Sequence, residues 1–587
     1  MNFNSLSKTM AAGAVALLMA GCGGGGGDDE VAAPATPTPP AASLQVSGTA
    51  ATGLALAGAD VQVKCAAGNG TATTSASGAY SVSLVGGALP CIIRVTGSAA
   101  GVQVTLHSVT EAGSSDATTN KTSAVANVTP LTEIVVAQLT GGLPTQVFAN
   151  FGATSATQIT ADKLSAATTT VLATLKDATG LDFGSIDPFK APLVAATSGA
   201  PAQGNAYDKL LDQLGDKVAP EALPQLVTQV ATASASGSTS GLQDAMASVD
   251  AGSLPGCPAV LGGNYRIVEY FGSSYVRNLN FRTMKITRPG STGAGLDITV
   301  DPAKACAFQV AGNNGTADVQ LDFAMGASGV GAARILNLTA NRNNIAYVFP
   351  VQSHTLAEIT GSWTFHQGGF IPGEGLVHSP GKVDIAANGT AVPCDYPFGA
   401  STWSTCTPDT TNLKVATRDD GGVNLMAGTS VAASFWGYRS PSGSLTLFGT
   451  TNEVGSTDPA VEQTVLVLFK PNPQQLPAAG TLSKYWDVTL ARPLNAAPGQ
   501  NNATIVADSN TILSVDTASS SVVRKRASDG REDTVVYNAP LPGLRYRAQT
   551  STVLGVYQMP LPGTNVVLSV NSAPASTHLY NLSVGRP

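Results

Sequence analysis

Gly361-Ser362-Trp363 opens one of three similar segments in the second half of this 587-residue chain, each with glycine or lysine close to an aromatic residue. The other two open at Gly263-Asn264-Tyr265 and Lys484-Tyr485-Trp486. After a variable loop, each segment contains a strand that ends in Val-Asp: Val300-Asp301, Val383-Asp384 and Val515-Asp516. Such repetition predicts up to three antiparallel β modules of roughly 100 residues, either meanders or barrel-like. We expect these modules within a β-rich region at 257–587, at about 257–350, 355–455 and 475–587.

Hairpin signals support the repeated modules. The run Phe435-Trp436-Gly437-Tyr438, with its turn at Ser442-Gly443, corresponds to Gly555-Val556-Tyr557 with its turn at Pro562-Gly563. Three dipeptides are strong hairpin signals: Asn388-Gly389, Asp420-Gly421 and Asp529-Gly530. The Gly-x-Trp start also resembles the first strand of lipocalin-like barrels, and that resemblance implies a barrel.

Residues 44–112 have the alternation of a small antiparallel β-sandwich. Segments such as Val61-Gln62-Val63 alternate apolar and polar residues with a period of two, between Gly- and Ala-rich breaks. The run 59–63 and the hairpin pattern from Thr74 through Gly78 and Tyr80 to Leu84 resemble the carboxypeptidase-regulatory-like β-sandwich family. This resemblance implies a non-catalytic spacer or interaction module.

Residues 127–250 change to a helical period. Thr129 with Pro130 predicts a helix start, Thr160 a second and Asn205 a third, which is expected to end near Gly215. A fourth helix has its apolar stripe at Leu223, Leu226, Val227 and Val230. We predict a small helical bundle, and we interpret the Ser, Gly and Thr residues at 233–241 as a linker.

The first 22 residues have the features of an export signal. Lys8 precedes an apolar run at 11–20, which is too short for a membrane span, and residues 1–21 are predicted to be a signal peptide. Ala20-Gly21 before Cys22, with glycines at 23–27, resembles the lipobox of bacterial lipoproteins, although Met19 stands where that family usually has leucine. The alternative is an ordinary signal peptide followed by a free cysteine.

The lipobox resemblance implies a covalent membrane anchor. Cys22 would carry a diacylglyceryl group on sulfur and an acyl chain on its new amino terminus, and two or three chains anchor stably at roughly 0.8 kcal/mol per buried CH₂. The resemblance further favours the outer membrane, facing the periplasm or the cell surface, because Gly23 is not aspartate. Residues 22–43 follow as a flexible Gly- and Pro-rich linker. Beyond residue 20 no apolar run is long enough to span a bilayer, so we expect attachment through lipid.

The cysteine count predicts disulfide bonds in an exported chain. Without Cys22, six cysteines remain, and the division into modules makes the local pairs Cys65 with Cys91, Cys257 with Cys306 and Cys394 with Cys406 the expected solution. A structural metal site is the alternative, but the chain has no C-x₂-C motif.

Composition narrows the possible functions. Only 12 % of residues are charged while Gly (63) and Pro (35) are plentiful, which is typical of extracellular β-rich proteins. A net charge of −7 gives no electrostatic footprint for nucleic acid. The chain has no G-x-S-x-G, H-E-x-x-H, P-loop or EF-hand motif, and we expect no cofactor.

Three groups of residues are candidates for chemistry. His354, His366, Glu374 and His378 could meet at a divalent metal, although histidines on separate loops are more often solvated. Asp419-Asp420 could be a glycosidase pair, but its place beside glycines favours a hairpin turn. The four tryptophans could stack on sugars, or fill barrel cores: Trp363, Trp403, Trp436 and Trp486.

The function hypotheses follow from the anchor and the β-rich region. The first is an outer-membrane-anchored lipoprotein with a non-enzymatic binding or envelope-interaction role, with a glycan or protein as its ligand. The alternatives are a tethered hydrolase acting on polysaccharide or lipid, and a structural envelope spacer. A pocket with clustered carboxylates or a Ser-His pair would favour the hydrolase, and a shallow aromatic groove would favour binding.

Overall fold

The chain is a mainly β, multidomain protein, as its sequence predicts. The computed structural model describes residues 42–99, 101–198, 203–313, 317–339, 342–371, 375–399, 402–408, 413–451, 463–493, 502–551, 553–572 and 577–586. Within these ranges no helix is both long enough and apolar enough to span a bilayer.

The first module is a β-sandwich of two four-stranded sheets, ordered β4-β1-β8-β7 and β3-β2-β5-β6. Strands alternate buried and exposed residues, as in Ala79–Val85, because one face of each sheet packs on the other sheet. The strands are β1 Ser43–Thr49, β2 Asp60–Ala67, β3 Asn69–Thr73, β4 Ala79–Val85, β5 Ala88–Ala99, β6 Val102–Thr110, β7 Ser114–Asp116 and β8 Lys121–Val125.

Helices follow the sandwich and begin where the sequence predicts. The side chains of Thr129, Thr160 and Asn205 each accept a hydrogen bond from the first turn of a helix. The elements are α1 Pro130–Thr140, α2 Pro144–Ala149, α3 Ala153–Ala156, α4 Ala161–Thr179, α5 Ala206–Gly215, α6 Leu223–Ser236, α7 Thr239–Ala251, β9 Ser253–Leu254 and β10 Cys257–Leu261.

The helices share one apolar core with the sandwich. Val46 and Ile93 of the sandwich belong to the same buried cluster as Ile134 of α1 and Leu226 of α6. Helices α1, α4, α6 and α7 pack against one another in a ring, as expected for the predicted bundle, and α1 also contacts β6, so the bundle and the sandwich share this core.

The predicted linker at 233–241 is wrong, because most of it is helical. Helix α6 continues to Ser236 and ends at Gly237, whose φ of 68° is in the left-handed region. Ser238 then caps α7, its hydroxyl accepting from the Gly241 N–H at 2.9 Å. The Ser, Gly and Thr residues are therefore caps between two adjacent helices.

The first barrel is a closed antiparallel meander of eight strands after the helices. Its lumen is filled by apolar side chains, including Phe281, Phe308 and Phe323. The ring centroid of Phe308 lies 5.6 Å from that of Phe281 and 4.4 Å from that of Phe323. The strands are β11 Gly263–Glu269, β12 Ser274–Asn280, β13 Lys285–Thr287, β14 Leu296–Val300, β15 Ala307–Asn313, β16 Asp318–Met325, β17 Gly331–Asn337 and β18 Arg342–Pro350.

The second barrel also closes, because β20 pairs with both β19 and β21. Trp363, Phe365 and Phe435 belong to the apolar cluster that fills its lumen. The elements are α8 Leu356–Ile359, β19 Gly361–Ile371, β20 Gly375–Ile385, β21 Thr390–Asp395, β22 Thr407–Pro408, β23 Leu413–Thr417, β24 Val423–Ala427, β25 Ser430–Arg439, β26 Leu445–Thr450 and β27 Gln463–Phe469.

The third barrel is again a closed meander of eight strands. The strands are β28 Leu482–Pro493, β29 Asn502–Asp516, β30 Ser521–Arg526, β31 Glu532–Tyr537, β32 Arg545–Arg547, β33 Val556–Leu561, β34 Val566–Asn571 and β35 Thr577–Gly585.

The sequence repeats correspond only in part to equivalent strands. Since β22 pairs only with β21 and is not part of the closed barrel, the two late hairpins are both formed by the sixth and seventh strands of a barrel, β25–β26 and β33–β34. Val383-Asp384 and Val515-Asp516 both end second strands, but Val300 ends the fourth strand of the first barrel. The Val-Asp correspondence is therefore wrong for the first barrel.

Three disulfides link neighbouring strands and loops of the fold, and they are the pairs that the sequence analysis predicts: Cys65–Cys91, Cys257–Cys306 and Cys394–Cys406. Cys65 and Cys91 are direct cross-strand partners on β2 and β5. Cys22 lies outside the described residues.

Candidate functional site

Of the four residues suggested as a metal cluster, the fold brings two together, His366 and His378. His366 on β19 and His378 on β20 lie side by side on the outer face of the second barrel, with ring centroids 5.2 Å apart. His354 precedes α8, where its Nδ1 lies 3.7 Å from Glu358, and Glu374 lies outside the described residues. Within the described ranges no group of three or more His, Cys, Asp or Glu residues is arranged to hold a metal ion.

A third histidine, His578 on β35, takes the place beside this pair. Its ring stacks on that of His378, with centroids 3.9 Å apart and planes at 5°. Burial lowers the pKa of His366 to about 3, with a further contribution from His578, and lowers that of His578 to about 4. Burial also holds the pKa of His378 well below its ordinary value, so all three rings are uncharged at neutral pH.

Tyrosines from the first and third barrels complete this junction. The hydroxyl of Tyr270 is hydrogen-bonded to Nε2 of His578, and the hydroxyls of Tyr347 and Tyr580 lie 2.7 Å apart. Burial raises the pKa of Tyr270 and Tyr580 well above 10, which keeps both protonated. We call these six residues the histidine-tyrosine junction; because its tyrosines are almost completely buried, it joins the barrels and offers no open site.

The tryptophans fill cores instead of forming a sugar-binding surface. Trp363 belongs to the core of the second barrel, and the other three belong to the core between the barrels. None is more than 5 % exposed. Stacking of a sugar on these rings, which the sequence left open, is therefore excluded.

Asp420 lies in the β23–β24 hairpin, as expected, and also connects two barrels. Its Oδ1 accepts from the Gly422 N–H at 3.2 Å, the local bond that favours aspartate in such turns. Its Oδ2 accepts from Nη2 of Arg266 on β11 at 3.1 Å and from Nε1 of Trp436 at 2.9 Å. The carboxylate is therefore occupied by structural partners.

The third barrel differs from the other two because the apolar face of its sheet points outwards, which leaves the polar face to line the lumen. Trp486 donates from Nε1 to the carbonyl of Ala305 beside the first barrel, and Tyr580 contacts Tyr347 there. Cross-strand register places Val488 on the face of Trp486. Since alternate residues of a closed barrel point inwards, the lumen is lined by the other, polar face.

Two charged groups line this lumen. In one, Nε of Arg526 donates to Asp508 at 2.5 Å, and Nη2 lies 3.7 Å from Asp487. In the other, Asp533 is surrounded by guanidinium groups: Nη1 of Arg547 at 2.7 Å, Nε of Arg531 at 3.1 Å and Nη2 of Arg524 at 3.7 Å. We call this second group the arginine cluster, together with Arg545, whose pKa is lowered by burial and by the charge of Arg524.

The lumen is closed at one end by the segment before β28. The carbonyl oxygen of the Gln474 side chain accepts from Nε of Arg545 at 2.7 Å, and Leu476 packs against the small apolar cluster at that end. That cluster consists of Ile512, Val522, Val535 and Tyr537. Towards the other end, Val506 on the lumen face is 46 % exposed, so solvent reaches the lumen from that side.

In the first barrel, a group of polar side chains around Glu269 lies at one end of the lumen. Glu269 accepts from the Tyr275 hydroxyl at 2.8 Å and from Nδ2 of Asn344 at 2.9 Å. Burial raises the pKa of Glu269, and these hydrogen bonds and the charge of Arg277 oppose the shift. The groups satisfy one another above a lumen filled by apolar side chains.

A surface cleft of about 600 Å³ lies between α4 and the loop at 182–190. Four of its five charged side chains are paired, Lys190 with Glu111 and Lys176 with Asp182, each at 2.6 Å. The fifth, Asp187, accepts hydrogen bonds from the backbone of its own loop, so the cleft has no excess of positive charge, unlike the arginine cluster.

Sequence reasoning missed the arginine cluster. Val522-Val523-Arg524-Lys525-Arg526 places a valine and a cation on each face of a strand, so the sequence does not distinguish the enclosed face from the solvated one. The available signal was the apolar stripe of Trp486, Val488 and Leu490 on another strand of the same barrel. This stripe fits the lumen of a barrel, but it fits a contact with a neighbouring barrel equally well. Only barrel closure shows which face is inside.

Comparisons with known proteins give no family. No family model matches the chain, and no curated protein matches it. A crystal structure of a protein of unknown function of the DUF3598 family from Nostoc punctiforme is similar at 10 % identity and a TM-score of 0.16, covering 40 % of this chain and 97 % of that one.

Transferrin-binding protein B is also among the similar solved structures. The Haemophilus parasuis double mutant has 11 % identity and a TM-score of 0.18, covering 53 % of this chain and 65 % of that one. The Neisseria meningitidis protein has 10 % identity and a TM-score of 0.17, covering 54 % and 66 %. Similarities this low support no conclusion about function.

Proposed function

We propose that this chain is a lipid-anchored protein of the bacterial envelope that binds a small ligand in its third barrel and catalyses no reaction. The observation that carries the proposal is the contrast between lumens: two barrels are filled by apolar side chains, and the third is lined by charges and reached by solvent. An eight-stranded barrel has room for either packed side chains or one small ligand.

The anchor is the part of the proposal that rests on sequence. The lipobox resemblance at Ala20-Gly21-Cys22 supports lipid attachment, and a Gly- and Pro-rich run up to residue 43 separates Cys22 from the sandwich in the sequence. The same resemblance favours the outer membrane. The carboxypeptidase-regulatory-like resemblance of the sandwich supports a spacer or interaction role for it.

The lumen favours binding over hydrolysis, although it holds three carboxylates. Burial raises the pKa of Asp533, but the charges of Arg547, Arg531 and Arg524 outweigh it and hold the pKa below its ordinary value. The pKa of Asp508 is also lowered, because hydrogen bonds from Ser528 and Arg526 outweigh burial. A glycosidase acid needs a raised pKa so that it can donate a proton, so these carboxylates suit a charged wall.

Access to the lumen can be tested on the full chain with hydroxyphenylglyoxal, which modifies arginine side chains. We expect Arg524 and Arg531 to be modified in the native protein, while Arg266, buried between two barrels, serves as the unreactive reference. Mass spectrometry of peptides reads out each site. If Arg524 is as unreactive as Arg266, the lumen is closed and the spacer hypothesis replaces the binding role.

The anchor can be tested by metabolic labelling with an alkyne fatty acid in a bacterial host. Wild-type protein should be labelled and sediment with the outer membrane, and Cys22→Ser should lose the label and become soluble. Gly23→Asp is the matched control, because it should keep the label and change only the membrane. Label that persists in Cys22→Ser would contradict lipidation at this residue.

A further inference from the structure

We infer that the arginine cluster in the third barrel is a site for a small anion that presents carboxylate or phosphate oxygens. This inference rests on the proposed binding role of the same lumen. Three guanidinium groups surround one carboxylate, Asp533, and a fourth, that of Arg545, lies close enough to Arg524 for their charges to interact, so positive charge exceeds negative charge at this wall of the lumen. Arginine presents a rigid fork of donors that matches the oxygens of carboxylate and phosphate groups.

Asp533 does not accept a hydrogen bond from every guanidinium group around it. Arg547 donates to its Oδ2 at 2.7 Å, and Arg531 donates to the same oxygen at 3.3 Å. Arg524 comes only to 3.7 Å of Oδ2, which is an ion pair and too long for a hydrogen bond. The carboxylate is thus taken by two arginines, and the third approaches without a direct bond.

Arg524 has an unused donor, because its Nε is buried and has no hydrogen-bond acceptor among the described residues. The Nε of Arg531 also has none, but Arg531 donates to Asp533 through Nη2. A guanidinium has five N–H donors, and buried donors without acceptors cost free energy. An anion beside Arg524 would accept these hydrogen bonds and lower the repulsion between neighbouring guanidinium groups.

The neighbouring charged group in the lumen shows what a balanced arrangement looks like. Arg526 has two carboxylates, Asp508 and Asp487, within 3.7 Å, and these neighbours raise its pKa against the effect of burial. Tyr485 lies close enough to both groups to be influenced by Arg524 and Arg526, and burial raises its pKa so that it keeps its proton. Its hydroxyl is therefore a further donor for an anion.

The test measures anion binding to the full, lipidated chain in a neutral detergent. Inorganic phosphate and citrate are the probes, and sodium chloride at matched ionic strength is the reference. Both thermal unfolding and titration calorimetry should detect phosphate or citrate binding to the wild type. Comparing the two probes tells a phosphate ligand from a carboxylate ligand.

Two variants on adjacent residues locate the site. Arg524→Gln removes the lumen charge and should weaken binding at least about tenfold, because it removes charge-assisted hydrogen bonds. Lys525→Gln removes the same charge from the exposed outer face of the same strand and should bind like the wild type. Equal binding by Arg524→Gln and the wild type would overturn the site.

The outcome also separates this inference from the proposed function. If hydroxyphenylglyoxal modifies Arg524 but neither phosphate nor citrate has an effect beyond chloride, the anion site is wrong and the lumen remains a binding site for another chemistry. If Arg524 is neither modified nor involved in anion binding, both proposals fail.

Discussion

The first and third barrels have the same number of strands in the same order, yet their two sheet faces are used in opposite ways. In the first barrel, stacked rings such as Phe308 and Phe323 fill the lumen. In the third, Val488 and Leu490 face the other barrels, and Asp533 and Arg547 face the lumen. The meander therefore determines only that side chains alternate between the two faces of the sheet. Contacts with the neighbouring barrels determine whether the apolar face lines the lumen or packs against another barrel.

The largest expected difference comes from emptying equivalent lumen positions. Phe323 on β16 and Gln558 on β33 both lie on the sixth strand of their barrels and face the lumen. Phe323→Ala should lower the free energy of unfolding by about 3–5 kcal/mol, because it leaves a cavity in a packed core. Gln558→Ala should cost below about 1 kcal/mol, since the lumen there is polar. Equal losses in calorimetry would contradict the contrast between packed and polar lumens.

Reduction of the disulfides should separate the same two barrels. Cys257–Cys306 closes a loop with a sequence separation of 49 beside the first barrel, and opening it should cost about 4 kcal/mol by loop entropy. No cysteine follows Cys406, so the third barrel has none to reduce. Hydrogen exchange with and without reductant should show lost protection in the first barrel and unchanged protection in the third. Equal loss in the third barrel would mean that the two barrels unfold as one unit.

Removing the central carboxylate of the arginine cluster tests its charge excess. Asp533→Asn should lower stability by about 3 kcal/mol, because it leaves buried guanidinium groups unpaired. Arg531→Gln removes one of the surplus charges and should cost well below about 1 kcal/mol. Added phosphate should recover part of the loss in Asp533→Asn. Chemical denaturation measures all three, and a larger loss for Arg531→Gln would contradict the charge excess.

Acid should weaken the histidine-tyrosine junction before it reaches the lumen carboxylates. Because the folded pKa values of His366 and His578 lie below the ordinary 6.5, stability is lost as pH falls below about 6.5 and the loss is complete near the folded values. At pH 5 the loss is about 2 kcal/mol per histidine. The pKa values of Asp508 and Asp533 lie below their ordinary value, so these carboxylates keep their charge at pH 5.

The His366→Leu variant checks this pH dependence. It should reduce the slope of stability against pH between 6 and 5 by about 1.4 kcal/mol per unit, the effect of one proton. An unchanged slope would show that His366 does not take up a proton on unfolding in this range.

Local patterns predicted most of the fold because they depend on neighbouring residues. Thr129, Thr160 and Asn205 cap helices through bonds within one turn, and the three turn dipeptides lie in hairpins between consecutive strands. The histidine-tyrosine junction could not be predicted, because His378 and His578 are 200 positions apart and meet only when barrels pack. The arginine cluster escaped for a related reason, since alternation separates two faces without showing which one is enclosed.

The most direct test of the contrast between lumens is a crystal structure of the full chain at a resolution that shows ordered water. The account predicts water or an anion within hydrogen-bond distance of Nε of Arg524 in the third barrel, and no water among the phenylalanines of the first. A dry third lumen with Arg524 bonded to a protein acceptor would contradict it.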